Sequence, residues 1–504
     1  MSPAPVELRT IDQWIALMGA AQLPVLATTL REIARMRADE ENVRPRDLAQ
    51  VVLHDPLMAV RVLRLIKEKQ AGRGSTEITT VEHAIMMLGV SPFFRAISKL
   101  RSVDADLAKN NAALLGLMGV IGRARHATMH AREWAQLRYD IDSDEVVIAT
   151  LLHDLAEMLL WYFAPALASQ IEVRLVEDPA LRSADVQHDV LGFTLNELQL
   201  AVAAAWQLPP ILTSLMDSYR AEHPRARNVL CAVNLVRHAA NGWEDPALPD
   251  DIQGVCKLLG RPRLEVRQRI FHTALAAGLD HAWYGERTRA AWLPPFPLEF
   301  DTGDLPPGPR TSSRLLEKVE KELVIDNDSG LLAWSTSGVP SERTPAPALP
   351  AIVALVFYGL YKGLGLARQA YFAVEETGLF ARARYLGGVR NSARLSTALL
   401  PLGMASPTTR ELAEQGALWW KGSADSRPPT DLPNIWRSCS GHGFFACMIR
   451  TGDGRGGLLL ADAEELSMKL TENQFFEFRK MADLLSLKLA GPIPELEPPE
   501  APPA

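Results

Sequence analysis

The chain has 504 residues, of which 47% are hydrophobic and 22% charged, and a formal net charge of −7 at pH 7. That length exceeds one ordinary hydrophobic core and points to two to four domains of a soluble globular protein. The acidic balance supplies no global basic field, so neither nucleic acid nor an anionic membrane surface is expected as a partner. Four cysteines, at 231, 256, 439 and 447, lack the short spacing of a zinc or redox motif and suit a reducing compartment. The start MSPAPVELRT has no basic segment followed by an apolar core. A cytoplasmic location is therefore expected.

Helical spacing covers residues 6–19, and Leu23-Pro24 breaks the pattern before a second helix over 28–37. A polar connection, 39–45, leads to a helix over 46–54. Asp55-Pro56 then restarts the chain, with Asp55 as cap and Pro56 at the first helical position of a helix over 57–69. Thr79-Thr80 opens another helix through Leu88. Helical pattern resumes from 101 to 138, carrying His126 and His130. Residues 146–163, VVIATLLHDLAEMLLWYF, form the most apolar stretch, yet a central His, Asp and Glu would be costly in lipid. It reads as one buried helix wrapped by others, with His153, Asp154 and Glu157 sharing a face. Helices over 165–176, 180–190, 194–206, 209–220, 225–240 and 263–278 close an all-helical unit spanning 1–290, with its core at about 15–240.

Ten prolines fall between 294 and 350, so residues 291–349 read as a linker with one short helix at 313–324. Beyond it come a helix at 350–366, strands at 369–374, 380–385, 443–450 and 456–461, and a closing helix to 489. GHGFFACMIRTGDGRGGLLLADAE reads as a hairpin turning at 452–454. The tail 492–504 is Pro- and Glu-rich and reads as disordered. The glycine clusters at 72–74 and 452–457 are turns, because neither follows a strand and opens a helix as a phosphate loop would. No serine has a readable base partner. Trp419-Trp420 with Lys421 suit core and edge cover, with a ligand-cavity wall as the other reading. His442 beside Phe444 and Phe445 reads as packing, and His188-Asp189 as an exposed helix end.

LPVLATTL at 23–30, HDPLMAVRVLRLI at 54–66, ITTVEHAIMMLGV at 78–90, Leu-Leu-His-Asp at 151–154 and Trp206-Gln207-Leu208-Pro209 occur in the order and spacing of the HDOD domain family. The resemblance fades after about residue 240. It implies an all-helical domain, non-catalytic and akin to the His-Asp metal-dependent phosphohydrolases. Those enzymes use an upstream His, a His-Asp pair and a further Asp; here the resemblance offers His126 or His130, then His153 and Asp154. The helix expected to supply the last acid reads CAVNLVRHAA and puts Asn234 at the matching position. Glu157 stands where a Lys is common, Asn196 where a His is common, and Met216, Asp217, Ser218 and Tyr219 where a second His pair would lie. His126, His153 and Asp154 are thus vestigial metal candidates, and no cofactor is expected. The helix, antiparallel sheet and closing helix of 350–491 resemble a GAF-type sensor domain.

The expected protein is a multidomain, non-enzymatic signal-transduction output or scaffold of a bacterial cell, with an all-α domain followed by an α/β domain. Its partners would be signalling proteins, with a small-molecule ligand at the C-terminal domain and self-association into a homo-oligomer also compatible. One alternative is a metal-dependent phosphohydrolase or cyclic nucleotide phosphodiesterase using His153 and Asp154. The other is a small-molecule sensor acting through the C-terminal domain.

Overall fold

The computed structural model describes residues 10–20, 22–70, 78–140, 142–178, 180–217, 222–284, 289–294, 312–324, 349–388, 395–402, 407–421, 443–452, 454–463 and 469–490. The expected turn at 72–74, the tail 492–504, His442, Ser218 and Tyr219 lie outside them. The chain divides into two units, Met1–Ala240 with Pro246–Arg289, and Asn241–Asp245 with Ala290–Ala504.

The first unit is all helical among its described residues. Its axis is the 27-residue helix Asn111–Leu137, capped by the Asn110 side chain, which accepts from Ala113 N at 3.1 Å. Apolar residues occupy nearly every side of this helix, and it is packed by Ser143–Leu152, Leu155–Phe163, Pro224–Ala239 and Arg263–Asp280. Gly116 sets one crossing: a Cβ there would run into the ring of Trp161. Caps mark the other starts. Thr80 accepts from His83 N, and Thr194 with Glu197 forms a reciprocal capping box. Gly192, at φ 85°, ends Ser183–Leu191 in a left-handed turn that a side chain would strain.

The single buried helix expected over 146–163 is two helices, Ser143–Leu152 and Leu155–Phe163, with His153 and Asp154 forming the turn between them. Hydrophobic periodicity cannot see this break, because the residues on both sides are equally apolar. Together they make the one stretch among the described residues long and apolar enough to cross a membrane, and 78% of its most apolar window is buried inside the protein. Helices Val90–Ile97 and Leu248–Leu259 are additions to those expected. The first follows Gly89, whose φ of 80° turns the chain, and the second carries Pro249 in its first turn just after Pro246, two prolines that read in sequence as a connection.

The second unit is built on a seven-stranded sheet. Its strands are β1 (Ala291–Trp292), β2 (Arg368–Val374), β3 (Phe380–Gly388), β4 (Leu399–Pro401), β5 (Ala417–Trp420), β6 (Phe444–Ile449) and β7 (Gly457–Asp462). The order is β1-β3-β2-β7-β6-β5, with β4 also on β3; all pairs are antiparallel except β1 with β3. The expected hairpin is present as β6 and β7, with Phe445 opposite Ala461. Part of the expected linker belongs to this unit instead. Trp292 pairs into the sheet, and helix Ser313–Val324 packs on the C-terminal helix Glu472–Ala490 with Val319 buried. The proline count hid this, because two paired residues and twelve helical ones suffice to tie that stretch down.

Strand alternation sorts the sheet into two apolar faces. One face carries Phe445 and Trp419 against the C-terminal helix, where Phe445 and Phe478 rings are 5.4 Å apart. The apolar helix Leu349–Tyr358, continued by a π-turn to Gly363, lies on this side with it. The other face carries Ala370, Phe372, Ala383, Phe444, Ala446 and Leu460, closed by Leu395, Leu400 and Leu412 from short segments. Strands β4 and β5 and helix Pro407–Gln415, absent from the sequence reading, form this side's edge. Trp419 and Trp420 line the edge strand as core cover, with Lys421 over the Trp419 ring at 4.5 Å.

Candidate functional site: the His-Asp helix break

The turn at 153–154 frees backbone groups on both sides, and a buried helix end needs partners for them. Gln199, buried on helix Leu195–Ala205, supplies both. Its Nε2 donates to the Leu152 carbonyl at 2.9 Å, and its Oε1 accepts from Ala156 N at 2.8 Å. The break is thus held open by one side chain from another helix.

His153 Nδ1 lies 2.9 Å from Asp154 Oδ1, and Arg237 Nη2 donates to the same oxygen at 3.0 Å. Burial works against the charged form of Asp154, but the Arg237 guanidinium and the His153 ring outweigh it and hold the carboxyl well below the usual range. Next to it, Arg123 donates to Glu157 Oε1 at 2.7 Å. Burial opposes the Arg123 charge too, yet Glu157 and Asp154 together raise its pKa. Glu172 in turn takes both terminal nitrogens of Arg289. Three carboxylates therefore meet three guanidiniums in one half-buried row. Glu157 faces Arg123 from the long helix rather than sharing its acceptors with His153.

Of the other expected ligands, His126 sits beside His130, with their Nε2 atoms 3.1 Å apart, and His130 stacks toward Trp134 at 5.3 Å. Burial, with His126 adding to it, keeps His130 neutral. Asn234 is exposed on helix Pro224–Ala239, and Arg237, one turn further along the same face, is the residue that reaches Asp154. Among the described residues no group of three or more His, Cys, Asp or Glu side chains is disposed to hold a metal ion. The residues present do not fit a hydrolytic metal centre: the carboxylate of the His-Asp pair is already neutralised by a guanidinium. His188 and Asp189 are exposed as expected, Asp189 accepting from Arg174.

A second His-Asp pair, at 54–55, does more than the helix capping expected of Asp55. Asp55 is fully buried; its Oδ1 accepts from Leu57 N and Met58 N at 3.0 and 3.1 Å, and its Oδ2 from Leu26 N at 2.7 Å. It joins the start of helix Pro56–Gln70 to the entry of helix Ala27–Arg37. Burial pushes its carboxyl up to about 6, against the pull of those N–H donors. His54 donates from Nδ1 to the Gln50 carbonyl at 2.8 Å, stacks on Trp283 at 4.4 Å, and places Nε2 3.2 Å from Asp280. Asp280 also accepts from Arg125 Nε at 2.6 Å. Burial disfavours its charge, but His54 and Arg125 hold its carboxyl well below the usual range.

Sequence reasoning missed Arg237, Arg123 and Gln199. Only Arg237 left a signal, as a cation three residues after Asn234 on the face expected to carry an acid.

The HDOD domain family matches residues 23–221. Among curated proteins no match to the chain was found. Among solved structures the chain is similar to the MmoQ response regulator from Methylococcus capsulatus, at 18% identity over 48% of this chain and 98% of that one, TM-score 0.39. It is similar to an HDOD domain protein from Geobacter sulfurreducens at 17% identity over 55% and 99%, TM-score 0.30. It is also similar to the phycocyanobilin-bound GAF domain from a cyanobacterial phytochrome at 16% identity over 35% and 93%, TM-score 0.23. Residues 23–221 of this chain are an HDOD domain, followed by a C-terminal region built on a mixed sheet.

Proposed function

We propose that the protein is a non-enzymatic signal-transduction output or scaffold, acting in the bacterial cytoplasm through contacts with other signalling proteins. The observation that carries this reading is the Arg237–Asp154 contact at 3.0 Å. A guanidinium stands where a metal-dependent phosphohydrolase needs cationic charge from its metal, and it brings no open coordination position for water. Output would then come from a change in helix packing that a partner favours in one state over another. The test is elemental analysis of purified protein after incubation with manganese or iron and dialysis, for wild type and His153→Ala, with phosphodiester turnover measured on both. No retained metal and no metal-stimulated turnover is expected. Stoichiometric metal and turnover, both lost in His153→Ala, would replace this reading with the phosphohydrolase one.

A second reading, compatible with the first, makes the C-terminal region a GAF-like sensor of a small molecule. It is favoured by the sheet face opposite the flanking helices, where small residues Ala370, Ala381, Ala383 and Ala446 lie among Phe and Leu side chains. An apolar ligand of modest size would enter this buried face by displacing the short segments that carry Leu395, Leu400 and Leu412. Native mass spectrometry of the full chain should detect a co-purifying molecule that Ala383→Trp excludes, and that raises the melting temperature of the wild type when added back.

A further inference from the structure

The large exposed apolar side chains of this protein are mostly scattered, but two of them lie in line on the C-terminal helix. Phe476 is 65% exposed and Leu487 61% exposed. Between them on the same side stand Lys480 and Asp483, both exposed. The spacing of four, three and four residues keeps all four within one narrow stripe, apolar at its two ends and oppositely charged at its middle. The opposite side of the helix, Phe478, Met481, Ala482 and Leu485, is buried in the unit's own core. Lys480 makes a surface ion pair with Glu320 of helix Ser313–Val324, and 45% of its side chain stays exposed.

We propose that this stripe pairs antiparallel with the same stripe of a second copy, giving a twofold-symmetric dimer. This stands independently of the function proposed above. The argument is one of charge and register. The stripe is symmetric about the point between Met481 and Ala482. An antiparallel copy turned about that point sets Phe476 opposite Leu487 and Lys480 opposite Asp483, each contact occurring twice, as an isologous interface requires. A parallel copy in register would set Lys480 against Lys480 and Asp483 against Asp483, opposing like charges. The same two charges therefore favour one orientation and oppose the other, and the apolar residues close both ends of the contact. Antiparallel pairing also brings the acidic first turn at Glu472 toward the partner's last turn with Lys488, the arrangement that helix dipoles favour.

Sedimentation equilibrium of the full-length chain over a concentration series is the test. The wild type should approach twice the chain mass of 55.4 kDa. Phe476→Glu should raise the dissociation constant about tenfold or more, and so should Lys480→Glu, by setting like charges opposite one another. The charge-swapped Lys480→Glu/Asp483→Lys double variant should dimerise again. Loss of the Glu320 pair alone would not be rescued this way, so the swap separates contact within one chain from contact between two. Under mild oxidation the Phe476→Cys/Leu487→Cys variant should form a covalent dimer and Phe476→Cys alone should not. A wild type monomeric throughout the series overturns the proposal. So does a dimer indifferent to Phe476→Glu, a double swap that stays monomeric, or a covalent dimer from Phe476→Cys alone, which would mean parallel pairing.

Discussion

The chain uses the dipeptide His-Asp twice at joints between helices, and the two acids end in opposite electrostatic states. At 54–55 the carboxylate is fully buried and meets backbone N–H groups and the Thr29 hydroxyl but no cation, and burial pushes it up to about 6. At 153–154 the carboxylate meets a guanidinium and an imidazole and is held well below the usual range. The first joint is a cap that ties two helices together. The second is a helix break whose carboxylate is neutralised by Arg237 and whose free backbone groups are met by Gln199. Identical residues in similar local geometry thus acquire different roles from what other helices bring to them.

The largest effect should come from breaking the first joint. Asp55→Ala strands three buried N–H groups, which should cost about 3 kcal/mol or more of stability in chemical denaturation. A loss under about 1 kcal/mol would mean that water or a neighbour replaces the cap. Next comes the device that holds the second joint open. Gln199→Leu keeps the bulk but leaves the Leu152 carbonyl and Ala156 N–H unpaired, and about 2 kcal/mol should be lost. If stability is unchanged, the break at 153–154 is held by the flanking helices rather than by Gln199.

A smaller effect separates the joints by charge. Arg237 is partly exposed, so Arg237→Ala should cost only about 1 kcal/mol, while the Asp154 pKa, followed by NMR, moves upward. An unmoved pKa would show that His153 and Arg123 suffice.

The most diagnostic difference lies in pH dependence. The folded protein holds the Asp55 proton up to about 6, whereas an unfolded carboxyl titrates near its ordinary value of 3.8. Between those values unfolding releases a proton, so this group's contribution to stability falls as pH rises through the window. Asp154 and Asp280 have the opposite sign. Their folded pKa values are depressed, so their contribution is present above about 4 and is lost as pH falls below it. Asp55→Asn should remove the first slope and leave the second, measured as denaturation midpoints across pH; a slope that survives the substitution assigns it to another group.

How much of this was legible varied by element. The helices Ala27–Arg37, Pro56–Gln70 and Ser313–Val324 and the hairpin β6–β7 fall within a few residues of expectation, because caps, prolines and periodicity act locally. The break at His153-Asp154 was not legible, since an apolar run looks the same whether or not it is interrupted. Strands β4 and β5, at three and four residues, are too short to carry a readable alternation. At the site, His153 and Asp154 were found as a pair, but their partners come from residues 123, 199 and 237, far off in the chain.

Local chemistry along the chain therefore decided where helices and strands start and stop, that residues 23–221 follow the HDOD pattern, and which acids and histidines stand out. Only the tertiary structure decided what those acids do. The charge state of a buried carboxylate depends on the donors and cations within a few ångströms of it, and at Asp154 the decisive one, Arg237, lies 83 residues away in the chain.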